Sequence, residues 1–145
     1  MKLKVYVADN KNDLKKVFKI REQVFQEEQG IDRKLDFDGL DKDEKTKNFV
    51  FEINGKVVGC ARLLIKGKKA KFGRLAILKA YRGKGYGGEL TKHIIDYCKI
   101  LNLSELYMHS QYYLLDFYKN LGFKERGKVF TEVGIKHIEM YMKLK

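Results

Sequence analysis

The chain has 145 residues, of which 44% are hydrophobic and 12% aromatic, and its net charge is +12. This composition is that of a globular protein and excludes a disordered chain, and the length predicts one domain over residues 1–145. No apolar run approaches the roughly 20 residues that cross a bilayer, and the first ten residues lack a signal-peptide pattern, so we expect no membrane and a cytoplasmic location. Cys60 and Cys98 match no metal or redox spacing, and we expect no metal site.

Charge is distributed unevenly along the chain. Residues 27–44 carry eight acids against three bases, so the remainder is strongly basic. A basic surface keeps a protein in solution, or it meets a polyanion such as nucleic acid or a phosphate-bearing cofactor. The acidic segment is either a solvated loop or a surface that attracts a cationic substrate.

Hydrophobic periodicity predicts a helix in the first half of the chain and then three strands. Asn10 can cap the helix, which we expect to end at Gln29–Gly30, and Asn54–Gly55 is a strong hairpin signal between two β-rich runs. The predicted strands of this half cover residues 2–7, 48–53, 56–65 and 70–78.

The second half predicts a helix to about residue 101, a strand over 105–109, a helix over 114–121 and an alternating final segment. The element order is therefore β–α–β–β–β–α–β–α–β–β, an α/β fold with a sheet of mixed direction. Arg21 falls on the apolar stripe of the first helix, where a cation needs a partner. A structural salt bridge and a site residue are both open for Arg21.

The most informative segment is the glycine-rich run from Arg82 to Gly88, which follows an apolar strand and precedes a helix. The first N–H groups of a helix have no intrahelical acceptor, and glycines let a phosphate approach the backbone. Four glycines within six residues would be costly in entropy for a simple turn. The pattern therefore favours an anion-binding loop over a turn without a ligand.

Two phosphate-binding patterns fit this loop unequally. Residues 83–88 satisfy the dinucleotide pattern G-x-G-x-x-G, but only 57 residues follow Gly88, too few for the usual sheet. Arg82-x-x-Gly85-x-Gly87 resembles the acetyl-coenzyme A pyrophosphate loop of the GNAT superfamily of N-acetyltransferases. Residues 117–123, Phe-Tyr-Lys-Asn-Leu-Gly-Phe, resemble that family's F-Y-x-x-x-G-F segment.

Further segments resemble the ElaA-like branch of this family. They are Arg21 with Val24-Phe25 and Glu28-Gln29, the Asp36-x-Asp38-x-x-Asp41 run, and Phe130-x-Glu132-x-Gly134-Ile135-x-His137. The resemblance implies the GNAT fold, a mixed and mostly antiparallel sheet flanked by helices, together with use of acetyl-coenzyme A. It implies a coenzyme site formed by Ala76, Ile77, Arg82, Gly83, Lys84, Gly85, Tyr86, Gly87, Gly88 and Gln111.

The resemblance also implies catalytic roles. Tyr118 occupies the position of the family's general acid, although its helical spacing fits a core tyrosine as well. Many relatives carry a glutamate on the central strand as general base, but this chain has Arg74 there. The base must then come from elsewhere, with Glu28, Glu132, His137 and His109 as candidates, or water must carry the proton.

The resulting hypothesis is an acetyl-coenzyme A-dependent N-acetyltransferase that acts on a primary amine, either a small molecule or a lysine side chain. A nucleic-acid-binding module is the alternative of another class, but the aromatic residues sit at core spacings and no helix has a clustered basic face. A coenzyme A-binding protein without catalysis is a third reading, since the strand carboxylate is missing. A homodimer is implied by the family resemblance alone.

Overall fold

A computed structural model describes residues 1–145 as seven strands in one sheet with helices on both faces. The strands are β1 (Leu3–Val7), β2 (Thr46–Ile53), β3 (Lys56–Lys66), β4 (Lys69–Ile77), β5 (Glu105–Gln111), β6 (Lys124–Glu132) and β7 (Ile135–Lys143). The helices are α1 (Lys11–Arg21), α2 (Arg33–Asp36), α3 (Tyr86–Ile100) and α4 (Leu115–Asn120). The strand order is β1-β2-β3-β4-β5-β7-β6, and only β4 and β5 pair in parallel. The predicted element order and the mixed, mostly antiparallel sheet are confirmed.

The core lies on both faces of the sheet because successive strand residues point to opposite sides. Phe49, Phe51 and Ile77 pack with α3 on one face, and Val50 and Ala76 pack with α1 on the other. No helix is long and apolar enough to span a membrane.

Two hairpins have two-residue turns in which both residues adopt left-handed backbone angles. Asn54 and Gly55 have φ of 51° and 83°, and Val133 and Gly134 have φ of 46° and 76°. The Asn54–Gly55 turn joins β2 to β3 as its sequence predicts. The Val133–Gly134 turn joins β6 to β7 with a residue that this conformation disfavours.

The structure differs from the prediction of one helix to Gln29 followed by a loop. The α-helix ends at Arg21 and continues as a π-helix over Glu22–Glu28, whose wider turn buries the adjacent residues Val24 and Phe25. The acidic segment is not a plain loop: it forms α2 and a 3₁₀ turn over Leu40–Lys42. Ion pairs between this segment and the sheet, described below, order it.

The sheet opens between β4 and β5. Their pairing ends at Phe72 and Met108, while β4 continues to Ile77 and β5 to Gln111. Opposite β3, the β4 register shifts by a bulge at Arg74, whose φ is 52°. This opening leads to the turn that carries the glycine-rich loop.

Candidate active site

The glycine-rich loop presents a run of unpaired backbone donors. The N–H groups of residues 83–88 donate to no acceptor within the protein, and the first intrahelical bond of α3 runs from Glu89 to the Gly85 carbonyl. Gly83 and Gly85 adopt φ of 75° and 84°, which glycine reaches without steric cost. Six successive free N–H groups at a helix N-terminus form a site for an anion.

Arg82 does not extend freely from this loop. Its Nε donates to the Ile77 carbonyl at 2.8 Å, and its Nη1 and Nη2 donate to the two Glu28 oxygens at 2.7 and 2.8 Å. The hydrogen bond from Arg82 lowers the pKa of Glu28. Both Glu28 oxygens are thus engaged by Arg82, which makes Glu28, one of the four candidate general bases, a weaker proton acceptor. The pair ties the π-helix to the end of β4.

Alternation along β4 decides which backbone groups face the sheet opening. The Leu78 N–H donates to the Val58 carbonyl, so in the antiparallel register Ala76 also bonds to β3, opposite Cys60. The Ile77 N–H, on the other edge of the strand, then points into the opening. The expected backbone contact between Ala76 and a ligand stays a prediction, and in this register it is Ile77 that faces the opening.

The opening forms a cavity of about 930 Å³, which extends from the glycine-rich loop to the β6–β7 hairpin. Most of the predicted site residues line it: Ala76, Ile77, Arg82, Gly83, Gly85, Tyr86, Gly87, Gln111, Tyr118, Glu132 and His137. His109 also lines it, whereas Glu28, Lys84 and Gly88 do not. The sequence motifs thus converge from five separate segments onto one cavity.

Tyr118 belongs to the core and to the cavity at once. Its side chain is 4% exposed, and its ring packs edge-on against Phe72, Phe117 and Phe123. No protein group accepts its hydroxyl proton. The hydroxyl oxygen is not fully buried, and it reaches the cavity that Tyr118 lines. Burial raises the pKa of Tyr118, which keeps the hydroxyl protonated at neutral pH.

A second polar group lies on the opposite wall, where β5, β6 and β7 meet. Glu132 Oε1 lies 3.4 Å from His109 Nδ1, and Glu132 Oε2 lies 3.7 Å from His137 Nε2. His137 Nδ1 lies 2.8 Å from the Ile135 carbonyl, which only accepts, so that nitrogen carries the proton and Nε2 faces Glu132. Glu132 is 45% exposed, and its contacts with the two imidazoles are 3.4 Å or longer.

The acidic segment and three arginines form a buried ionic network beside the cavity. Arg21 is fully buried and contacts Asp36 and Asp41, both at 2.9 Å. Arg62 and Arg74, from two strands of the sheet, bind Asp38 at 2.9 and 3.3 Å. The structural salt bridge expected as one reading of Arg21 is confirmed.

The charges of this network cancel. Burial alone would raise the pKa of Asp38, but the hydrogen bonds from Arg62 and the Leu40 N–H and the charges of Arg62 and Arg74 together lower the pKa to about 2. Three aspartates, Asp36, Asp38 and Asp41, face the three arginines, so these carboxylates are not free charges, while Asp32, Asp43 and Glu44 of the same segment are exposed. The signal in the sequence was the placement of Arg62 and Arg74 next to apolar residues inside predicted strands.

Comparison with known proteins identifies the family. The family model described as "Acetyltransferase (GNAT) domain" matches residues 13–144. The chain belongs to the GNAT acetyltransferase family. A similar protein is the uncharacterized N-acetyltransferase YjcF of Bacillus subtilis. It is 30% identical over 139 residues, which cover 95% of this chain and 98% of YjcF.

Solved structures agree with the GNAT assignment. An acyl-CoA N-acyltransferase from Pseudomonas aeruginosa is similar with a TM-score of 0.87 and 26% identity, over 97% of this chain and 99% of that one. Escherichia coli ElaA is similar with a TM-score of 0.86 and 25% identity, also over 97% and 99% of the two chains. The resemblance to the GNAT family and to ElaA is confirmed, and the seven-stranded sheet with its opening is the GNAT fold.

Proposed function

We propose that this GNAT protein transfers the acetyl group of acetyl-coenzyme A to a primary amine by direct attack. The observation that carries the proposal is the run of six unpaired N–H groups at residues 83–88, which begins where the sheet opens. A diphosphate supplies the acceptors that these groups lack. The opening between β4 and β5 then leaves room for an extended arm beside Leu75 and Ile77. The name of the similar P. aeruginosa acyl-CoA N-acyltransferase supports this donor.

Acetyl-coenzyme A supplies the acyl group as a thioester; the amine nitrogen bonds to the carbonyl carbon, and the carbon–sulfur bond breaks. The Ile77 N–H faces the opening and stabilises the negative charge that develops on the carbonyl oxygen. Tyr118 donates its proton to the departing sulfur, which leaves as a thiol. Glu132, with His137 behind it, takes the proton that the amine loses.

Coenzyme binding is tested by thermal unfolding with and without coenzyme A. A ligand that binds only the native state stabilises it by about 2.7 kcal/mol at 100-fold excess over Kd. The melting temperature rises as a result. Gly85→Asp should abolish this shift because the new side chain enters open space in front of the free N–H groups. Gly127→Asp is the matched control, since Gly127 has nearly the same φ, 82° against 84°, and lies in the β6 bulge.

Catalysis is tested by thiol release from acetyl-coenzyme A in the presence of a panel of primary amines. Tyr118→Phe should lower kcat and kcat/KM together by about 10²–10⁴-fold and leave the coenzyme-induced shift unchanged. A Tyr118→Phe protein with parental turnover would contradict the general-acid role. A coenzyme shift without turnover of any amine would favour the binding protein without catalysis. Salt-dependent retention on DNA with no coenzyme shift would favour the nucleic-acid module.

A further inference from the structure

Several apolar side chains that line the cavity are also exposed to solvent. Leu35, Leu40 and Val133 are 54%, 44% and 39% exposed, and all three line the cavity. They come from α2, from the 3₁₀ turn that follows it, and from the β6–β7 turn. A single exposed apolar residue needs no explanation, but three from separate elements around one mouth form a contact surface.

Val133 occupies its position at a conformational cost. A β-branched residue at positive φ is a genuine outlier, because its Cβ crowds the following carbonyl, whereas asparagine tolerates this region. The chain itself provides the comparison: the turn at Asn54–Gly55 has φ of 51° and 83°, and that at Val133–Gly134 has 46° and 76°. The β2–β3 turn uses the favoured residue, and the turn at the cavity mouth does not. Strain that persists at a site points to a role for the side chain there.

The charges at this end of the cavity are suited to one cation. Asp36 and Asp38, the two aspartates that line the cavity, are paired with Arg21, Arg62 and Arg74. Glu132, next to Val133 in the chain, is the cavity-lining carboxylate without an arginine partner. A ligand with one ammonium group matches this arrangement, whereas a polycation would place further charges against Leu35, Leu40 or Arg74.

We propose that the acceptor is a primary amine on an apolar alkyl or aryl body, whose ammonium lies at Glu132 and whose body packs against Val133, Leu35 and Leu40. The inference rests on the proposed function, because it names the substrate class of the same site. Val133 acts as a specificity-determining contact and takes no part in proton transfer. Its strain persists because the apolar contact is used.

The substrate class is tested with matched amines: 2-phenylethylamine and hexylamine against spermidine and a lysine peptide, each assayed by thiol release. We expect kcat/KM for the two apolar amines to exceed that for spermidine and the peptide by roughly tenfold or more, since each apolar group bound in a pocket contributes about that much. A preference for spermidine or the peptide would overturn the inference. The coenzyme A shift of the unmodified protein separates the two failures. Without that shift the proposed function fails too, whereas a shift combined with the opposite amine preference rejects only the substrate class.

The role of Val133 is tested by exchange of the two turn residues. Val133→Asn should raise the melting temperature, because asparagine suits the turn, and should raise KM for 2-phenylethylamine severalfold without altering the coenzyme A shift. Asn54→Val is the control and should lower the melting temperature while KM stays at the parental value. Leu35→Asn, at an exposed position, should raise KM in the same way. Parental KM values in both Val133→Asn and Leu35→Asn would overturn the proposed contact.

Discussion

Replacement of Arg21 with methionine should destabilise the protein strongly. Arg21 is fully buried, and its guanidinium donates to both Asp36 and Asp41 while contacting the Phe37 ring. Methionine retains length and apolar packing but provides no charge or donor. The change leaves two buried carboxylates without their central partner.

The expected loss is about 3 kcal/mol. Removal of one partner from a buried ion pair costs roughly 3–5 kcal/mol, and Arg62 and Arg74 still reach Asp41 and Asp36, which places the loss at the lower end. For a chain of this size, that corresponds to a fall in melting temperature of about 9 °C. Typical stabilities of about 5–15 kcal/mol leave the variant folded.

The loss should depend on pH. Burial would raise the pKa of Asp41, but the hydrogen bond and charge of Arg21, with smaller contributions from Arg62 and Asn48, together lower it below the usual value of 3.8. A depressed carboxylate stabilises the fold above its unfolded pKa, and this stabilisation is lost as pH falls through the folded pKa. The melting temperatures of the parent and Arg21→Met should therefore converge as pH falls from 7 towards 3.

Urea unfolding at pH 7, with the melting temperature as a second measure, checks this prediction. Glu22→Gln is the control, because it breaks an ion pair between Glu22 and Arg33 that is more than half exposed on both sides. Exposed pairs contribute about 0.2–1 kcal/mol. An Arg21→Met variant no less stable than Glu22→Gln would show that the network contributes little to stability.

Glu28→Gln should leave kcat within about threefold of the parental value, because Glu28 binds Arg82 and, in the proposed mechanism, takes no proton from the amine. A fall in kcat of about 10²-fold or more would instead support Glu28 as the general base. Gly59→Ala should lower stability by about 1–3 kcal/mol in urea unfolding, because a Cβ would lie 2.7 Å from Ile77 Cδ1 and 2.9 Å from the Ala76 carbonyl oxygen. Parental stability of Gly59→Ala would mean that β4 can move away from β3 at this point.

The order of the elements could be predicted because their signals are local. The alternation of β7, the Asn54–Gly55 turn and the spacing of α3 each depend on a few neighbouring residues. The glycine-rich loop belongs to the same class, since a strand, a loop and a helix N-terminus adjoin in the chain. Such features require no knowledge of distant contacts.

The parts that could not be predicted depend on pairs far apart in the chain. Glu28 and Arg82 are 54 residues apart, and Arg74 and Asp36 are 38 residues apart. The direction of the Ala76 and Ile77 backbones depends on the register with β3, which a bulge at Arg74 shifts. A sequence shows that Arg21 needs a partner, but only the fold shows which acids supply it.

The position of Arg74 explains where a base is needed. Many GNAT relatives are expected to carry a glutamate on this strand, but here the side chain of Arg74 binds Asp36 at 2.9 Å and Asp38 at 3.3 Å, and its backbone forms the bulge. An arginine held in this way neither accepts a proton nor leaves room for a carboxylate. In the proposed mechanism, proton acceptance therefore moves across the cavity to Glu132 on the β6–β7 hairpin. The same hairpin carries the strained Val133, so the two proposals together assign selection of the amine and removal of its proton to adjacent residues.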